Sequence, residues 1–290
     1  MHTYKIITDS CCDFTSEQYA AYDIAFTPLS VLYRGEEHTN FTEPALVKEF
    51  YDALRQGQTA STSAANPESW SQVMEEPLKN GQDVLCLVFT SALSTTYQSA
   101  MIAAEELQEK YPQRQIRVVD TLCAAPGQGL LLHHACAKRD AGFSLDQLVQ
   151  WCEESKLHIC HWVTVDDLQH LKRGGRISAT TAIVGGMLNI KPIIHVNDEG
   201  KLNAVAKARG RKAALEYLAN KAAEKGKDWD NETVFIGHGD CPEDAAALEA
   251  LVRQKCPWVK NVVTYYIGAV IGAHTGPGVL ALFFLGDNRN

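Results

Sequence analysis

Short apolar runs alternate with helical patterns through the first half of the sequence, and this alternation restricts the fold more than any other feature. Strands that alternate with helices form a parallel sheet covered by helices on both faces. The sequence therefore predicts an N-terminal α/β domain with a parallel sheet. Its predicted strands are residues 4–8, 24–32, 84–89 and 116–119, and its predicted helices are 43–55 with Thr42 as N-cap, 67–79, 95–111 and 126–141.

A different pattern follows a predicted linking helix at residues 144–156. Two β-like runs, 190–196 and 201–209, flank Asp198-Glu199-Gly200, which is a hairpin signal. We expect a C-terminal α/β domain with a mixed or antiparallel sheet, and therefore two domains, residues 1–155 and 156–290. The remaining predicted elements of this half are strands at 158–165, 233–236, 259–265 and 279–284, and helices at 211–225 and 242–255.

The charge balance argues against broad nucleic-acid binding. The 290 residues include 27 Lys and Arg against 35 Asp and Glu, a formal charge of −8, whereas nucleic-acid binding needs cationic surface to replace counterions. One basic glycine-rich loop, residues 171–178, is an exception. It favours a phosphate or an acidic partner, or it is a solvated turn.

Targeting and cofactor signals are weak throughout the sequence. The chain enters a strand pattern directly, and no apolar run approaches the roughly 18 residues of a membrane span. We therefore expect a cytoplasmic protein with at most transient membrane contact. Nine scattered cysteines include no CxxC pair, so we expect no metal and no cofactor.

Two clusters of hydroxyl side chains precede predicted helices. Thr59-Ala60-Ser61-Thr62-Ser63 lies ahead of the helix at 67–79, and Thr90-Ser91-Ala92-Leu93-Ser94-Thr95-Thr96 directly follows the buried strand 84–89. Helix capping is one explanation for such residues. The other is anion binding, because ligands bind at the carboxyl ends of parallel strands and helix N-termini attract anions.

A third candidate is His274, which lies in the glycine-rich segment 272–278 between two apolar runs. It is either incidental to a tight turn or presented to a ligand on a rigid loop. Ser94 and His274 could be a nucleophile and its base, which would make a hydrolase or transferase acting on an acyl or phosphorylated small molecule. No GxSxG elbow surrounds Ser94, and no third, orienting group is evident.

Taken in order, these segments resemble the DegV family of bacterial fatty-acid-binding proteins along nearly the whole chain. Two departures lie in the same segments: Ala64-Ala65 replaces Gln-Pro, and Thr95 replaces a glycine. The matching segments are Ile7-Thr8-Asp9-Ser10-Cys11-Cys12-Asp13, residues 62–67, Thr90 to Tyr97, Leu171 to Ser178, Leu188 to Pro192 and His274 to Gly278.

The resemblance implies a two-domain α/β protein that buries a long-chain fatty acid and is not itself an enzyme. It implies that a separate fatty acid kinase phosphorylates the presented carboxylate, for use in phospholipid metabolism. Carried over by position, the residues that bind the carboxylate are Thr62, Ser94 and His274, assisted by Ser63 and Thr95. Arg173, Arg176 and Arg209 are placed on, or in support of, the face that meets the kinase.

Overall fold

The two halves of the chain contribute separate sheets. The computed structural model describes residues 2–166, 168–177, 189–226 and 232–289. The first half contains β1 (Tyr4–Asp9), α1 (Ser16–Ala21), β2 (Ile24–Thr27), β3 (Ser30–Tyr33), β4 (Glu36–Thr39), α2 (Pro44–Arg55), β5 (Ala60–Ser63), α3 (Pro67–Lys79), β6 (Asp83–Val88), α4 (Thr96–Lys110), β7 (Ile116–Asp120), α5 (Pro126–Asp140) and α6 (Leu145–Ser155).

The second half continues with strands and helices in a less regular order. Its elements are β8 (Ile159–Thr164), α7 (Gln169–Arg173), β9 (Ile190–Val196), β10 (Leu202–Arg209), α8 (Arg211–Lys225), β11 (Thr233–His238), α9 (Pro242–Lys255), β12 (Asn261–Tyr266), α10 (Ala269–Thr275) and β13 (Leu280–Leu285). Short 3₁₀ helices lie at Ser10–Cys12 and Lys156–His158.

The first sheet is parallel, as predicted, with the strand order β2-β1-β6-β7. The prediction of a single strand at residues 24–32 is wrong. The chain leaves the parallel sheet after β2 and starts a second, antiparallel sheet with the order β4-β3-β5. Pro28 separates the two strands, and proline has no backbone N–H with which to continue a ladder.

The second half forms a mixed six-stranded sheet with the order β10-β9-β8-β13-β11-β12. The β9–β10 hairpin is confirmed, and β11 and β12 are the parallel pair of this sheet. The mixed α/β fold class is therefore confirmed, whereas the division at residue 155 stays a prediction. Ser178 and Leu188, the ends of two predicted motifs, lie outside the described residues.

Local sequence explains most helix boundaries. Helix α3 begins at Pro67 after Asn66, whose side chain accepts a hydrogen bond from Ser69 N. Thr42 is not the N-cap of α2; Glu43 occupies that position without a side-chain bond, and Pro44 follows. No helix among the described residues is long and apolar enough to cross a membrane.

Helix α5 packs between the two large sheets. It contacts β8, β11 and β13 of the mixed sheet as well as the 3₁₀ helix after β1. A side chain at Gly127 would overlap the His161 ring and come within 2.7 Å of Phe283, so glycine permits this close approach. The core consequently runs without interruption from the parallel sheet to the mixed sheet.

The Arg289 side chain forms hydrogen bonds with residues of both halves. Its side chain is fully buried, and the guanidinium donates hydrogen bonds to carbonyl oxygens rather than to a carboxylate among the described residues. Its acceptors are Ile159 O at 3.0 Å, Leu122 O at 2.6 Å, Asn197 O at 3.3 Å, Cys123 Sγ at 3.0 Å and Lys156 O.

Replacing Arg289 by Ala should strongly destabilise the fold, because several buried acceptors lose their donor together. We expect the free energy of unfolding in urea to fall by at least about 3 kcal/mol. Arg117→Ala is the control, because Arg117 makes a half-exposed ion pair with Asp146 and its loss should matter little. Equal stability of the two variants would contradict the role given to Arg289.

A candidate ligand cavity between the two halves

A largely apolar cavity of about 410 Å³ lies where the carboxyl ends of the parallel strands face α10 and the mixed sheet. A cavity of this size falls in the range that holds small-molecule ligands. Its apolar lining includes Leu29, Phe89, Ile194, Val196, Leu202, Ile267, Val270, Ile271, Val279 and Phe283. Its polar lining includes Ser91, Thr62, Ser94, Thr95, Arg176 and His274.

Four of the residues predicted from the sequence lie together on this lining. We call Thr62, Ser94, Thr95 and His274 the hydroxyl–histidine cluster. Thr95 is exposed, whereas the other three are half-buried. Because Thr95 both lines the cavity and is exposed, the cavity reaches the surface at this cluster, which we call its mouth.

His274 is held by helix α10 and not by a loop, which corrects the sequence prediction. Its Nε2 lies 2.8 Å from Thr62 Oγ1 on β5. Its Nδ1 is buried without a hydrogen-bond partner among the described residues. That atom packs against the backbone of Gly174, where an added methyl group would overlap it.

The imidazole of His274 is neutral at physiological pH. Burial, together with the nearby charge of Arg176, lowers its pKa to about 4. A buried N–H without an acceptor is rarer than a buried acceptor without a donor. We therefore assign the proton to Nε2, so that His274 donates to Thr62 Oγ1 and leaves the Thr62 hydroxyl hydrogen available to the cavity.

Ser94 and Thr95 lie where β6 leads into α4. Ser94 Oγ accepts a hydrogen bond from Thr96 N at 3.2 Å and lies 2.9 Å from Thr96 Oγ1. Ser94 therefore accepts a hydrogen bond from the first residue of α4 and also lines the cavity, while anion binding by this segment stays a prediction. Thr95 occupies the N-cap position without a side-chain bond, which leaves its hydroxyl free for other partners.

Of the other predicted residues, Arg176 also lines the cavity, whereas Ser63, Arg173 and Arg209 do not. Residues 60–63 form strand β5, so alternation places Ser63 on the opposite face from Thr62, where it is exposed. Arg173 and Arg209 are exposed on α7 and β10. Arg176 lines the cavity, and it donates to Leu93 O at 3.1 Å and to Gly174 O at 2.6 Å.

One histidine of the lining was not predicted from the sequence. His161 lies on β8, fully buried, with Nδ1 2.8 Å from Ile159 O and Nε2 accepting from Ala124 N at 3.2 Å. Burial, with the nearby Arg289 charge, holds its pKa well below the usual range. Because both nitrogens have partners, the ring presents an apolar surface to the cavity. The sequence offered one indication of His161, which was its place within a largely apolar predicted strand.

Metal binding finds no support in the described part of the chain. No group of three or more His, Cys, Asp or Glu side chains there is arranged to hold a metal ion. The polar groups that the described lining offers a ligand are therefore hydroxyl groups, the imidazole of His274 and the guanidinium of Arg176, because both nitrogens of His161 are already hydrogen-bonded.

Comparison with known proteins identifies similar chains along the whole length. A model of the DegV family, described as "uncharacterised protein, DegV family", matches residues 3–287. A DegV domain-containing protein of Clostridium perfringens is 44% identical over 290 residues, which are 100% of this chain and 99% of that protein.

Two solved structures share the fold and carry ligand information. One, described as fatty acid binding of a DegV family protein from Thermus thermophilus, has a TM-score of 0.87 and 30% identity, and the alignment covers 99% of this chain and 100% of that one. The other, a stearic acid-binding protein from Eubacterium ventriosum, has a TM-score of 0.87 and 26% identity, with 98% of each chain covered.

The lowered pKa of His274 predicts a pH effect on stability. The neutral ring contributes its full stability above about pH 6.5, and this contribution is lost as the pH falls toward about 4, because only the unfolded chain takes up the proton there. In His274→Gln, the free energy of unfolding should fall less steeply over that window. Urea denaturation at several pH values measures this, and identical slopes in both proteins would contradict it.

Proposed function

The chain belongs to the DegV family, and from that premise we propose that it binds one long-chain fatty acid and presents the carboxylate to a partner kinase. The observation that carries the proposal is that one largely apolar cavity is lined both by side chains from the two halves and by the hydroxyl–histidine cluster, where it reaches the surface. The fatty acids named for the similar solved structures support the choice of ligand.

The acyl chain supplies most of the affinity in this proposal. Each buried methylene contributes roughly 0.8 kcal/mol before the entropy of ordering the ligand is deducted. Residues from both halves line the cavity, including Leu29 and Phe89 from the first half and Ile194 and Phe283 from the second. The acyl chain of the ligand therefore exchanges water for apolar contacts along its whole buried length.

The carboxylate needs hydrogen-bond donors, because an unpaired charge at this depth is costly. Thr62 donates its hydroxyl hydrogen, which the bond from His274 Nε2 leaves available. Ser94 and Thr95 add hydroxyl groups at the first turn of α4, whose N-terminus also favours an anion. Ser63, exposed on the opposite face of β5, has no part in this arrangement.

Presentation to a kinase requires that one carboxylate oxygen stay accessible. Ser91 and Thr95 are exposed at the rim of the cavity, so the carboxylate lies close to solvent. Hydroxyl donors stabilise the anion without a tight guanidinium pair and leave an oxygen able to attack a phosphoryl donor. Exposed Arg173 and Arg209 supply positive charge for the partner's surface.

The geometry favours binding over hydrolysis or acyl transfer. A catalytic serine needs a hydrogen bond to its base and a third group to orient that base. Here Ser94 Oγ pairs with Thr96, and His274 Nε2 pairs with Thr62. Since Nδ1 of His274 has no partner among the described residues, nothing there orients the imidazole as a base.

The binding proposal predicts a bound lipid. Extraction of the purified protein followed by mass spectrometry should yield a long-chain fatty acid, and the delipidated protein should take up about one equivalent when titrated. An isoprenoid or retinoid acid in the extract would correct the ligand class. Finding no bound acid and no uptake would overturn the proposal.

Head-group variants test presentation separately from binding. With a fatty acid kinase and ATP, Ser94→Ala should lower acyl-phosphate formation by about tenfold or more, since a hydrogen bond to the anion is lost. Binding of the acyl chain should change much less. Ser63→Ala is the matched control, because it removes the same hydroxyl from the exposed face of β5. Equal acyl-phosphate formation by Ser94→Ala and wild type would contradict the role given to Ser94.

A further inference from the structure

Residues Asp9 to Asp13 form a buried turn beneath the cavity, which we call the anchoring segment. They follow β1 directly and include the 3₁₀ helix Ser10–Cys12. All five residues are buried, although three of them are polar. Burying two carboxyl groups is costly unless they are hydrogen-bonded.

Asp9 reaches the element that carries Ser94. Its Oδ2 accepts a hydrogen bond from Phe89 N at 2.8 Å, at the point where β6 ends and the loop to Ser94 begins. The same oxygen accepts from Gln128 Nε2 at 3.2 Å, and Oδ1 accepts from Cys11 N at 2.9 Å. Both carboxyl oxygens of Asp9 are thus occupied by donors.

Asp13 reaches the element that carries His274. Its Oδ1 accepts from Gly268 N at 3.1 Å, immediately before α10, and from Asn40 Nδ2 at 3.5 Å. Asn40 completes the contact, because its Oδ1 accepts from Val270 N at 2.9 Å and its Nδ2 donates to Ser10 O at 2.8 Å.

Two backbone features allow Asp13 and Asn40 to contact the start of α10. A Cβ at Gly268 would lie 2.7 Å from Asp13 Oδ1 and 2.8 Å from Asn40 Nδ2, so only glycine lets both side chains reach α10. Asp13 itself adopts a left-handed conformation with φ of 57°. Helix α10 is seven residues long and has no side-chain cap of its own, so it depends on these contacts.

We propose that Asp9 and Asp13 are positioning residues, which set the loop of Ser94 and the helix of His274 at a fixed separation across the mouth of the cavity. The proposal rests on the function proposed above and assigns that site two residues that do not touch the ligand. One rigid turn thereby fixes two elements that are about 180 positions apart in the sequence, 89 and 268.

The ionisation of the two carboxyl groups agrees with a positioning role. Burial raises the pKa of Asp9 to about 6 and that of Asp13 to about 8. The raised pKa of Asp13 favours the neutral acid, and Asp13 Oδ2 has no hydrogen-bond partner among the described residues, so only Oδ1 acts as an acceptor there. An asparagine can replace such a group, but it cannot replace Asp9, whose two oxygens both accept.

The test compares four variants by the ratio of affinities for palmitic acid and hexadecanol, which share a chain and differ in the head group. Asp13→Ala and Asp9→Asn should lower this ratio by about tenfold, since the cluster loses its alignment. Asp13→Asn should keep the wild-type ratio. Cys12→Ala is the control for destabilisation alone, because its buried thiol faces Tyr19 and not the cavity.

A second measurement needs no ligand. The ¹⁵N shifts of the His274 imidazole report its tautomer and its bond to Thr62, and they should change in Asp13→Ala but not in Asp13→Asn or Cys12→Ala. Wild-type protein without any preference for the acid would refute the proposed function while these shifts still test the positioning role. Unchanged shifts in Asp13→Ala would overturn the positioning role. If the wild-type protein prefers the acid, an affinity ratio that stays unchanged in Asp13→Ala and Asp9→Asn would overturn it as well.

Discussion

The hydrogen bond between His274 Nε2 and Thr62 Oγ1 joins the two halves of the chain at the mouth of the cavity. Thr62 lies on the small antiparallel sheet of the first half, and His274 lies on the helix that precedes the last strand of the second. Helix α10 packs against β3, β5 and α2, which brings the two side chains together. Because His274 Nδ1 has no partner among the described residues, this bond alone decides which tautomer the ring adopts. The tautomer of His274 therefore depends on how the backbones of α10 and β5 place these two side chains.

The sequence predicted the large elements well and the small ones poorly. Helices α3, α8 and α9 have the predicted bounds, because proline, glycine and long helical patterns mark their ends. Strands β3, β4 and β5 have four residues each, too few for a periodic pattern to separate them from loops. Helix α10 was missed for a related reason: contacts with Phe41, Asn40 and Asp13 hold it, and these lie far away in sequence.

The candidate site shows the same division between local and distant information. The carboxyl end of a parallel strand indicated Ser94 and Thr95, and the structure places both on the cavity. Strand alternation separates Thr62 from Ser63, which could not be foreseen while residues 60–63 were assigned to the approach to a helix. Arg176 was predicted to lie on, or to support, the face that meets a kinase, and this stays a prediction. Its guanidinium connects Leu93 to Gly174, two backbone oxygens that no sequence pattern brings together.

In the proposed function, Arg176 adds positive charge at the cavity that binds the anion. Its Nε and one terminal nitrogen already donate to carbonyl oxygens, which holds the guanidinium in place on the cavity lining. The same charge helps to keep His274 neutral, and the ligand then meets dipoles from hydroxyl groups and from the start of α4. A direct guanidinium pair would occupy both carboxylate oxygens and reduce their basicity. We therefore propose that dipoles, which would leave one carboxylate oxygen facing the exposed rim, suit presentation to a phosphoryl donor, whereas simple storage would favour the tighter pair.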